Sequence, residues 1–376
     1  MTIQKVLIVG MLDSIHLARW LKQFSSSDVQ FLIFPSSHFR NIHPNLVSLD
    51  SPKFRIFGVR LFGRHSGYFD SLLTFRLINN RIGHTLRKIY LRFAIFLFQP
   101  TIIHAIEIQH AGYLMKPGKS SVAKKILTNW GSDIYYFQHF DYHKQKIVTA
   151  LDWASHYSAE CERDYELASS LGFSGKFLPR IPNAGGLDLE EGSLRCSDRD
   201  LILVKTYGGQ FGAGEIAIRS LQKFVDEFPQ LRVHFYSVTP DLEEKVRQTQ
   251  LASQGRVTYS TLRKPLKHEE LINMFRDARI YLGCSKSDGL STSFLEAVCG
   301  GAYPIQTNTS CAQELVNEGV IGSIINLDEE SVLDALRKAH LNPDYLNAAQ
   351  DANFAYARRR LSVDFVRNKA QKFYDI

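Results

Sequence analysis

Short apolar runs recur along the chain, and most of them end in a polar or glycine-containing loop. The residues after each loop have apolar positions at the spacing of an amphipathic helix. Residues 6–10 form the first such run, and residues 201–205 form another near the middle of the chain. Buried parallel strands are typically continuous apolar runs, and the helices that connect them bury one face. The pattern therefore predicts an α/β protein with parallel sheets.

The clearest example of this pattern covers residues 278–316, where an apolar run, a polar loop, an amphipathic segment and a second apolar run follow one another. This order predicts one strand, loop, helix and strand unit of a parallel sheet. Ser291 or Thr292 is placed to cap the helix. The N–H groups of the first turn, together with the positive end of the helix dipole, form a site for a phosphate or a diphosphate.

Two carboxylates accompany this predicted anion site. Asp288 lies before the helix, and Glu296 lies about one turn inside it. A carboxylate close to an anion is best explained if it accepts hydrogen bonds from hydroxyl groups, such as those of a sugar or a ribose. The residues therefore predict a nucleotide sugar, with its diphosphate at the helix start and its hydroxyls on the two acids.

The same residues resemble the retaining GT-B glycosyltransferases of family 4, whose mark is two acids separated by seven residues before L-E-A-x-x-x-G. Here the acids are Asp288 and Glu296, and the family usually has glutamate in the first position. The resemblance implies that Asp288 contacts the transferred sugar and that Glu296 contacts the nucleotide ribose. It assigns the diphosphate to Gly289, Leu290, Ser291 and Thr292. The alternative is an ordinary Rossmann-like unit with a capped helix and a solvated Glu296.

The resemblance extends over nearly the whole chain and implies the α/β GT-B fold, in which two Rossmann-like domains with parallel sheets face each other across a cleft. A length of 376 residues suits two such domains. Residues 182–188 resemble the family's I-P-N-G-x-D hinge. We expect an acceptor-side domain at 1–185, a nucleotide-sugar domain at 186–355, and a C-terminal helix at 356–376 that crosses back to the first domain.

The first loop of the chain is the next candidate. Gly10 ends the first apolar run, and Ser14 and His16 stand at the start of the helix that follows. The loop lacks G-x-G-x-x-G, so a dinucleotide is not indicated. By the resemblance, Gly10 and His16 contact the donor and Ser14 lies on the acceptor side. His16 fits equally well as a helix-start residue that makes local hydrogen bonds.

Polar residues also follow the apolar run at residues 101–106. Many family members have H-x-H here, and Ile106 occupies the position of the second histidine. Glu107 and His110 are the nearby groups that can replace it, Glu107 by accepting from a sugar hydroxyl and His110 by exchanging a proton. Trp130 and Asp133 resemble the family's H-G-S-D segment, with Trp in place of His, and are expected on the acceptor side. Asp133 also fits as a helix N-cap.

A glycine-rich loop follows residues 201–205, and its Gly208 and Gly209 let the backbone approach a ligand. The family usually has an Arg and a Lys here to neutralise the diphosphate, but this chain has Tyr207 and Gly212. Lys205 is the first candidate for the missing charge, with Arg180 and Arg263 as others. Without a cation, the diphosphate relies on helix amides, the donor is a monophosphate sugar, or activity has been lost. Thr261 and Leu262 stand where the nucleotide base usually stacks.

Charge is unevenly distributed. The net charge is +7, and residues 53–146 hold fifteen Lys and Arg against four Asp and Glu. This basic first half is suited to peripheral contact with an anionic membrane, whereas no zinc finger, RNP-like motif or helix-turn-helix points to nucleic acid. Residues 80–98 mix basic, aromatic and aliphatic positions at helical spacing. They predict either an interfacial helix or a core-packed helix with a solvated basic edge.

The remaining composition limits the location and the chemistry. Five cysteines form no CxxC pair, which fits a reducing cytosol. The sequence starts without a secretory signal, and its longest apolar run is too short for a bilayer. We expect a cytoplasmic protein, peripheral on the inner face of the cytoplasmic membrane, with no metal and no cofactor apart from its nucleotide-sugar substrate. The Asp-x-Asp string at residues 198–200 is a metal signature in a different transferase fold. Here it falls in the predicted linker and is more typical of a charged surface than of a metal site.

The resulting hypothesis is a retaining glycosyltransferase that moves a sugar from a nucleotide sugar to an acceptor hydroxyl on a glycan or lipid-linked acceptor. A bacterial cell-envelope glycan such as lipopolysaccharide, capsule or exopolysaccharide fits the basic first domain. One alternative is a sugar-nucleotide epimerase or a phosphorylase of the same fold. Another is a non-catalytic protein that binds sugar nucleotide or lipid, which the missing Arg and Lys and the presence of Ile106 favour.

Overall fold

The structure is a computed structural model that describes residues 4–39, 41–49, 53–57, 81–115, 124–187, 189 and 194–375, without the side chains of residues 81 and 82. The chain divides into two compact units. The first comprises Met1–Gly185 and Val366–Ile376, and the second comprises Gly186–Phe365. Each unit has one parallel sheet with its own helices and its own apolar core.

The first unit is organised around a seven-stranded sheet in the order β3-β2-β1-β4-β5-β6-β7. All its neighbouring strands pair in parallel. The chain begins at the middle of the sheet and switches direction between β1 and β4, so that the loops after these two strands diverge and leave a crevice at the carboxyl edge. The strands are β1 Lys5–Gly10, β2 Gln30–Pro35, β3 Phe54–Ile56, β4 Ile102–Ile106, β5 Lys124–Thr128, β6 His156–Ser158 and β7 Lys176–Phe177.

Helices of the first unit follow the strands that the apolar pattern predicted. The helix Ile15–Lys22 has Ser14 at its N-cap, where the serine side chain accepts a hydrogen bond from the N–H of His16 at 3.2 Å. The core lies between sheet and helices and includes residues such as Leu7, Ile103 and Leu127. The other described helices are Pro44–Val47, Arg81–Phe98, Ser132–Tyr135, Asp141–Trp153, Glu162–Ser170 and Val363–Gln371, the last of which enters the first unit at Val366.

The second unit contains a six-stranded parallel sheet in the order β10-β9-β8-β11-β12-β13. Its direction switches between β8 and β11, which again places a crevice at the carboxyl edge of the two central strands. The strands are β8 Leu201–Lys205, β9 Arg232–Val238, β10 Val257–Thr261, β11 Ala278–Gly283, β12 Tyr303–Thr307 and β13 Ser323–Ile325. The helices are Gly214–Glu227, Pro240–Ala252, His268–Asp277, Thr292–Gly300, Ala312–Asn317, Glu329–His340 and Pro343–Arg360.

The strand, loop, helix and strand unit predicted for residues 278–316 is confirmed as β11, the Thr292–Gly300 helix and β12. The helix ends at Gly301, whose φ of 73° is the left-handed conformation that glycine adopts at little cost. All five cysteines are buried and none forms a disulfide bond, consistent with packing roles. Among the described residues, no helix combines the length and the apolar character needed to cross a membrane.

Candidate functional site

The loops that follow β8, β11 and β12 meet at the carboxyl edge of the second unit's sheet. Backbone hydrogen bonds join these loops, from Lys286 N–H to the Phe211 carbonyl at 2.7 Å and from Ala213 N–H to the Cys284 carbonyl at 3.2 Å. On the other side, Cys311 N–H donates to the Gly289 carbonyl at 3.0 Å. The carboxyl ends of neighbouring parallel strands therefore form one continuous surface, which is where open α/β sheets bind ligands.

The Thr292–Gly300 helix starts at this surface. Ser291 occupies its N-cap position with extended backbone, but its side chain makes no capping hydrogen bond. Its hydroxyl is buried beside the phenol of Tyr281, whose pKa it helps to lower. The first N–H groups of an α-helix lack intrahelical partners, and the dipole is positive at this end. A buried hydroxyl at that position adds one more donor for an anion.

Asp288 and Glu296 lie where the sequence predicted, the first before the helix and the second inside it. Asp288 is partly buried, and its Oδ1 accepts a hydrogen bond from the N–H of Gly289 at 2.9 Å. Glu296 is buried one turn inside the helix, near Tyr236 and Cys299, whose pKa values its charge helps to raise. The first acid is thus accessible to a ligand above the helix start, and the second lies beneath it.

The glycine-rich loop after β8 approaches these groups closely because it lacks side chains where it must pack. A Cβ at Gly212 would clash with the carbonyl of Tyr207, and a Cβ at Gly208 would clash with the carboxylate of Asp241. Gly208 N–H donates to Thr239 Oγ1 at 2.9 Å, which holds the loop against the end of β9. Gly209 has open space around it, so a side chain would fit there. Its φ of 72°, however, is a left-handed conformation that favours glycine.

Two lysines border the glycine-rich loop. The predicted Lys205 ends β8 and places its Nζ 5.0 Å from the centre of the Tyr207 ring. Lys286, which sequence reasoning missed, is exposed and donates from Nζ to the Gly209 carbonyl at 3.2 Å. It stands two residues before Asp288. Its nearness to Asp288 in the sequence could have identified Lys286 as a candidate. Only the position of the loop after β8 shows that the lysine lies beside the glycine-rich loop.

Other predicted residues lie at the margins. Thr261 ends β10, and its Oγ1 accepts from Lys264 N–H at 3.1 Å, whereas the Leu262 side chain is exposed. Arg263 is exposed on the same loop. Arg180 belongs to the first unit, where its Nε lies 3.7 Å from Glu162 Oε2. The structure therefore places Arg263 on the same unit as the anion site and gives Arg180 an acidic neighbour of its own.

Two tyrosines, Tyr207 and Tyr281, lie close to Asp288. Tyr281 is fully buried, with its hydroxyl 3.5 Å from Gln306 Oε1, and the charge of Asp288 adds to the burial that raises its pKa. Burial likewise raises the pKa of Tyr207, again with a contribution from Asp288. Both phenols therefore stay neutral at physiological pH and offer O–H donors close to the acid. Tyr281 lies inside the apolar strand β11 and gave no sequence signal, whereas Tyr207 was noted only as a replacement for the family's Arg.

In the first unit, the loops after β1 and β5 meet. His16 and Trp130, which were predicted separately, have ring centroids 5.2 Å apart. Ser14 is engaged as the N-cap described above, and this local bond agrees with the alternative reading of His16 as a helix-start residue. Gly10 ends β1 where a Cβ would lie 3.3 Å from Leu17, so a small residue is needed for the helix to pack. An aromatic pair thus borders this edge of the sheet.

Glu107 is buried and braces the loop after β4. Its Oε1 accepts hydrogen bonds from the N–H groups of His110 at 2.6 Å and Ala111 at 2.7 Å. Its backbone has a φ of 69°, a left-handed conformation that costs a non-glycine residue about 1 kcal/mol or more. Burial, and then the charge of Asp133, raise the pKa of Glu107 to about 8. The residue predicted to bind sugar therefore fixes the position of His110 through the backbone.

Asp133 joins the loops after β4 and β5. Its carboxylate accepts from Trp130 N–H at 2.8 Å and from Ile108 N–H at 3.0 Å, while Gly131 occupies the N-cap of the short helix. The N-cap alternative for Asp133 is therefore corrected, because the turn places Gly131, with a φ of 91°, immediately before the helix. Burial raises the pKa of Asp133 to about 7. Asp133 therefore binds the backbone of the loop that carries His110. Among the described residues, its carboxylate has no hydrogen bond to the His110 imidazole.

His110 is the exposed group of this edge. Partial loss of hydration and the charge of Arg87 lower its pKa, and Asp13 opposes the shift. The imidazole is therefore mostly neutral at neutral pH. Arg87, which sequence reasoning assigned only to a basic helix, is buried and donates to the Ser36 carbonyl at 3.3 Å. Arg87 and Asp13 place one positive and one negative charge near His110.

Solved structures match the chain over nearly its whole length. Sucrose-phosphate synthase from Thermosynechococcus elongatus is 13% identical, with a TM-score of 0.70 over 99% of this chain and 98% of that one. The pneumococcal O-GlcNAc transferase GtfA, in complex with UDP and GlcNAc, is 11% identical, with a TM-score of 0.72 over 100% and 99%. HepE from Anabaena, in complex with UDP-glucose, is 14% identical, with a TM-score of 0.67 over 99% of each chain.

No protein-family model matches the chain, and the search of curated proteins finds no match. At identities of 9–14%, the structural likenesses establish the fold. The two parallel-sheet α/β domains and these likenesses show that the chain has the GT-B fold, as the sequence predicted.

Proposed function

We propose that the chain is a retaining glycosyltransferase that moves a hexose-type sugar from a nucleotide-sugar donor to an acceptor hydroxyl. The observation that carries the proposal is the start of the Thr292–Gly300 helix at a topological switch point, where Ser291 occupies the N-cap without a capping hydrogen bond and Asp288 and Glu296 accompany the free helix N–H groups. Solved structures of the same fold hold UDP, or UDP-glucose, which supports a nucleotide diphosphate sugar as the ligand of this chain.

The second unit is the donor-binding unit in this proposal. Helix N–H groups and the Ser291 hydroxyl bind the diphosphate, and Lys205 and Lys286 supply the positive charge that the family takes from Arg and Lys in the first loop. Asp288 accepts from hydroxyls of the transferred sugar, and Glu296 accepts from the ribose. Thr261 and Leu262 border the base.

The first unit supplies the acceptor-side groups. We place the acceptor at the edge formed by Ser14, Trp130 and Asp133. We place the donor close to Gly10 and His16. His110 contacts the transferred sugar as a neutral hydrogen-bonding group, in the role that the family gives to the histidine replaced by Ile106. Glu107 acts indirectly, because its carboxylate already accepts two backbone hydrogen bonds that position His110. It is therefore a positioning residue.

The proposed reaction forms a bond between the acceptor oxygen and the anomeric carbon as the bond from that carbon to the phosphate oxygen breaks. Attack occurs on the face from which the phosphate departs, so the anomeric configuration is retained. The acceptor proton passes to the departing phosphate oxygen, and the helix amides and the two lysines stabilise the charge on the diphosphate. The chain's own residues orient both substrates and need no covalent nucleophile.

We further propose an acceptor that is a glycan or a lipid-linked glycan, as in cell-envelope polysaccharide synthesis. Fifteen Lys and Arg against four Asp and Glu in residues 53–146 support an acceptor that is anionic or is presented at an anionic membrane. Titration of the protein with a panel of nucleotide sugars identifies the donor sugar and its base.

The experiment is calorimetric titration of the purified protein with UDP-, GDP-, CDP- and CMP-sugars at fixed salt. We expect one nucleotide diphosphate sugar to bind, and binding to weaken at least tenfold in Asp288→Asn and Glu296→Gln. These changes keep the size of each side chain and remove its charge, so folding is conserved better than with alanine. Asp344→Asn, an exposed acid of the same unit, is the matched control and should bind as the parent protein does.

Binding that is unchanged in both acid variants would overturn the assignment of the site. Steady release of nucleotide in the presence of acceptor glycans distinguishes a transferase from a protein that only binds the donor. Proton nuclear magnetic resonance of the first product formed gives its anomeric configuration, and inversion would overturn the retaining mechanism.

A further inference from the structure

Basic side chains gather at the carboxyl edge of the first unit's sheet, where two helices begin. The Arg81–Phe98 helix leads into β4 and the Asp141–Trp153 helix leads into β6, so both helices start at the edge where the parallel strands end. The early turns of these helices and the loop after β4 contribute the basic groups. They are His84, Arg87, Lys88, His110 and Lys146, which we call the basic cluster.

The members of the basic cluster are close enough to act on one another. Burial is the main cause that lowers the pKa of His84 to about 4, and the charges of all the other members add to it. The charge of Arg87 also lowers the pKa of His110, where the charge of Asp13 opposes the shift. The electrostatic potential at this edge of the sheet is therefore positive.

Lys146 is positioned by aromatic side chains and not by a carboxylate. Its Nζ lies 4.1 Å from the centre of the Tyr142 ring and 5.0 Å from that of the Tyr113 ring, and it donates to the Tyr142 hydroxyl at 2.5 Å. The Tyr113 hydroxyl in turn lies 2.9 Å from His143 Nδ1. Within the described part of the chain, no Asp or Glu forms an ion pair with Lys146. Ring faces orient an ammonium group without neutralising it, so its charge is available to an anion.

Two buried acids at this edge neutralise little of the positive charge. Glu107 and Asp133 lie near Tyr113, since their charges contribute to its raised pKa. Burial raises the pKa of Glu107 to about 8 and that of Asp133 to about 7, so at neutral pH the first is mostly protonated and the second about half protonated. Their oxygens accept backbone hydrogen bonds and hold the loops in place.

We propose that the basic cluster is a subsite for the phosphate group of a phosphorylated sugar. The half-buried Lys88 and Lys146 contact the phosphate oxygens, and the buried Arg87 adds positive charge behind them. Three permanent cations suit a phosphate monoester, which carries about −1.5 to −2 charges at neutral pH, better than a singly charged carboxylate.

The surroundings of the basic cluster supply a surface for the sugar itself. Phe140 and Tyr142 are 45% and 65% exposed beside Lys146, and their rings offer apolar area to the face of a sugar. His110, which we place against the transferred sugar, is also a member of the cluster. The phosphorylated sugar is therefore the acceptor, an assignment that rests on the proposed function.

Calorimetric titration of the full chain tests the subsite without donor present. The ligands are inorganic phosphate, the monophosphates of glucose, galactose and mannose, the three free sugars and the three corresponding uronates. We expect at least one sugar monophosphate to bind, and its free sugar and uronate to bind at least about tenfold more weakly, because a charge-assisted contact is lost or reduced.

Three variants locate the binding. Lys146→Met should weaken binding of the sugar monophosphate about tenfold, whereas Lys146→Arg should retain it because arginine keeps the charge and the contact with the rings. Lys144→Met is the matched control. It removes the same charge from an exposed position of the same helix, two residues away and therefore on another side, and should bind as the parent protein does.

Several results would overturn the subsite: no binding of any sugar monophosphate, equally tight binding of the uronate, full binding by Lys146→Met, or an equal loss in Lys144→Met. Loss of binding in Lys146→Arg as well would show that the side chain supports the fold, which also overturns the proposal. Donor binding is measured separately with the nucleotide sugars. A protein that binds a nucleotide sugar but no sugar monophosphate lacks this subsite alone, whereas one that binds only the monophosphate has the subsite and lacks the proposed transferase function.

Discussion

The carboxylate of Glu107 accepts a hydrogen bond from the N–H of His110 at 2.6 Å. A buried acid at the carboxyl edge of a sheet would suggest a direct part in chemistry. Here its Oε1 also accepts from Ala111 N–H, and its backbone is left-handed. The acid therefore maintains the conformation of the loop that carries the exposed histidine.

This bracing predicts an unusual pH dependence. Glu107 has its pKa raised to about 8 in the folded protein, from an ordinary value of 4.5. The folded state holds a proton that the unfolded chain has released, so the free energy of unfolding falls as pH rises through about 8. The slope reaches about 1.4 kcal/mol per pH unit for one proton. Glu107→Gln, which keeps an oxygen acceptor, should flatten this fall.

The measurement is denaturant unfolding followed by tryptophan fluorescence, because Trp20, Trp130 and Trp153 all belong to the first unit. The informative interval runs from about pH 7, where Asp133 passes its own pKa of about 7, to about pH 8.5, above which Glu107 is ionised in both states and its slope vanishes. A fall that persists unchanged in Glu107→Gln would contradict the assignment of the proton. Glu166→Gln, an acid on the Glu162–Ser170 helix of the same unit, is the control and should keep the parental slope.

The two lysines beside the glycine-rich loop should carry part of the affinity for the diphosphate. Lys286→Met and Lys205→Met are each expected to weaken binding of the donor about tenfold, or about 1.4 kcal/mol, because a charge-assisted hydrogen bond to phosphate is lost. Lys338→Met, at an exposed lysine of the same unit, should have no effect. Binding of the corresponding uncharged nucleoside should not change in either variant. An equal loss for the nucleoside would mean that the lysines support the loop, and no loss for the donor would exclude them as phosphate ligands.

Tyr374 helps to anchor the C-terminal segment to the first unit. The hydroxyl of Tyr374 accepts from Trp20 Nε1–H at 2.9 Å and lies 2.8 Å from His104 Nδ1, and all three residues are buried. Tyr374→Phe leaves both ring nitrogens without this partner. We expect the first unit to lose about 2 kcal/mol of unfolding free energy, since each unsatisfied buried polar group costs about 1–3 kcal/mol.

Tryptophan fluorescence measures this loss directly. Tyr142→Phe makes the same chemical change at an exposed position of the same unit and should cost less than about 0.5 kcal/mol. A Tyr374→Phe protein as stable as the Tyr142→Phe protein would show that the hydroxyl is not needed to hold the segment.

The sequence by itself determined the elements and the centre of the proposed donor site. Apolar runs and helical spacing predicted parallel-sheet α/β domains. The loop before the Thr292–Gly300 helix contains Asp288 and Ser291, and Glu296 follows one turn inside the helix. These features are local: a strand, a turn and a helix start depend on residues that are neighbours in the chain. A local pattern can therefore be read without knowing the fold.

Only the tertiary structure decided which side chains from separate strand ends share one environment. It brought Lys286 to the Gly209 carbonyl, paired His16 with Trp130, and turned Glu107 from a predicted sugar ligand into a brace for its own loop. It also left Phe96 and Leu97 exposed on a helix that the sequence allowed to be either interfacial or core-packed. The physical reason is that burial and hydrogen-bond partners depend on contacts between distant segments, which periodicity along the chain does not encode.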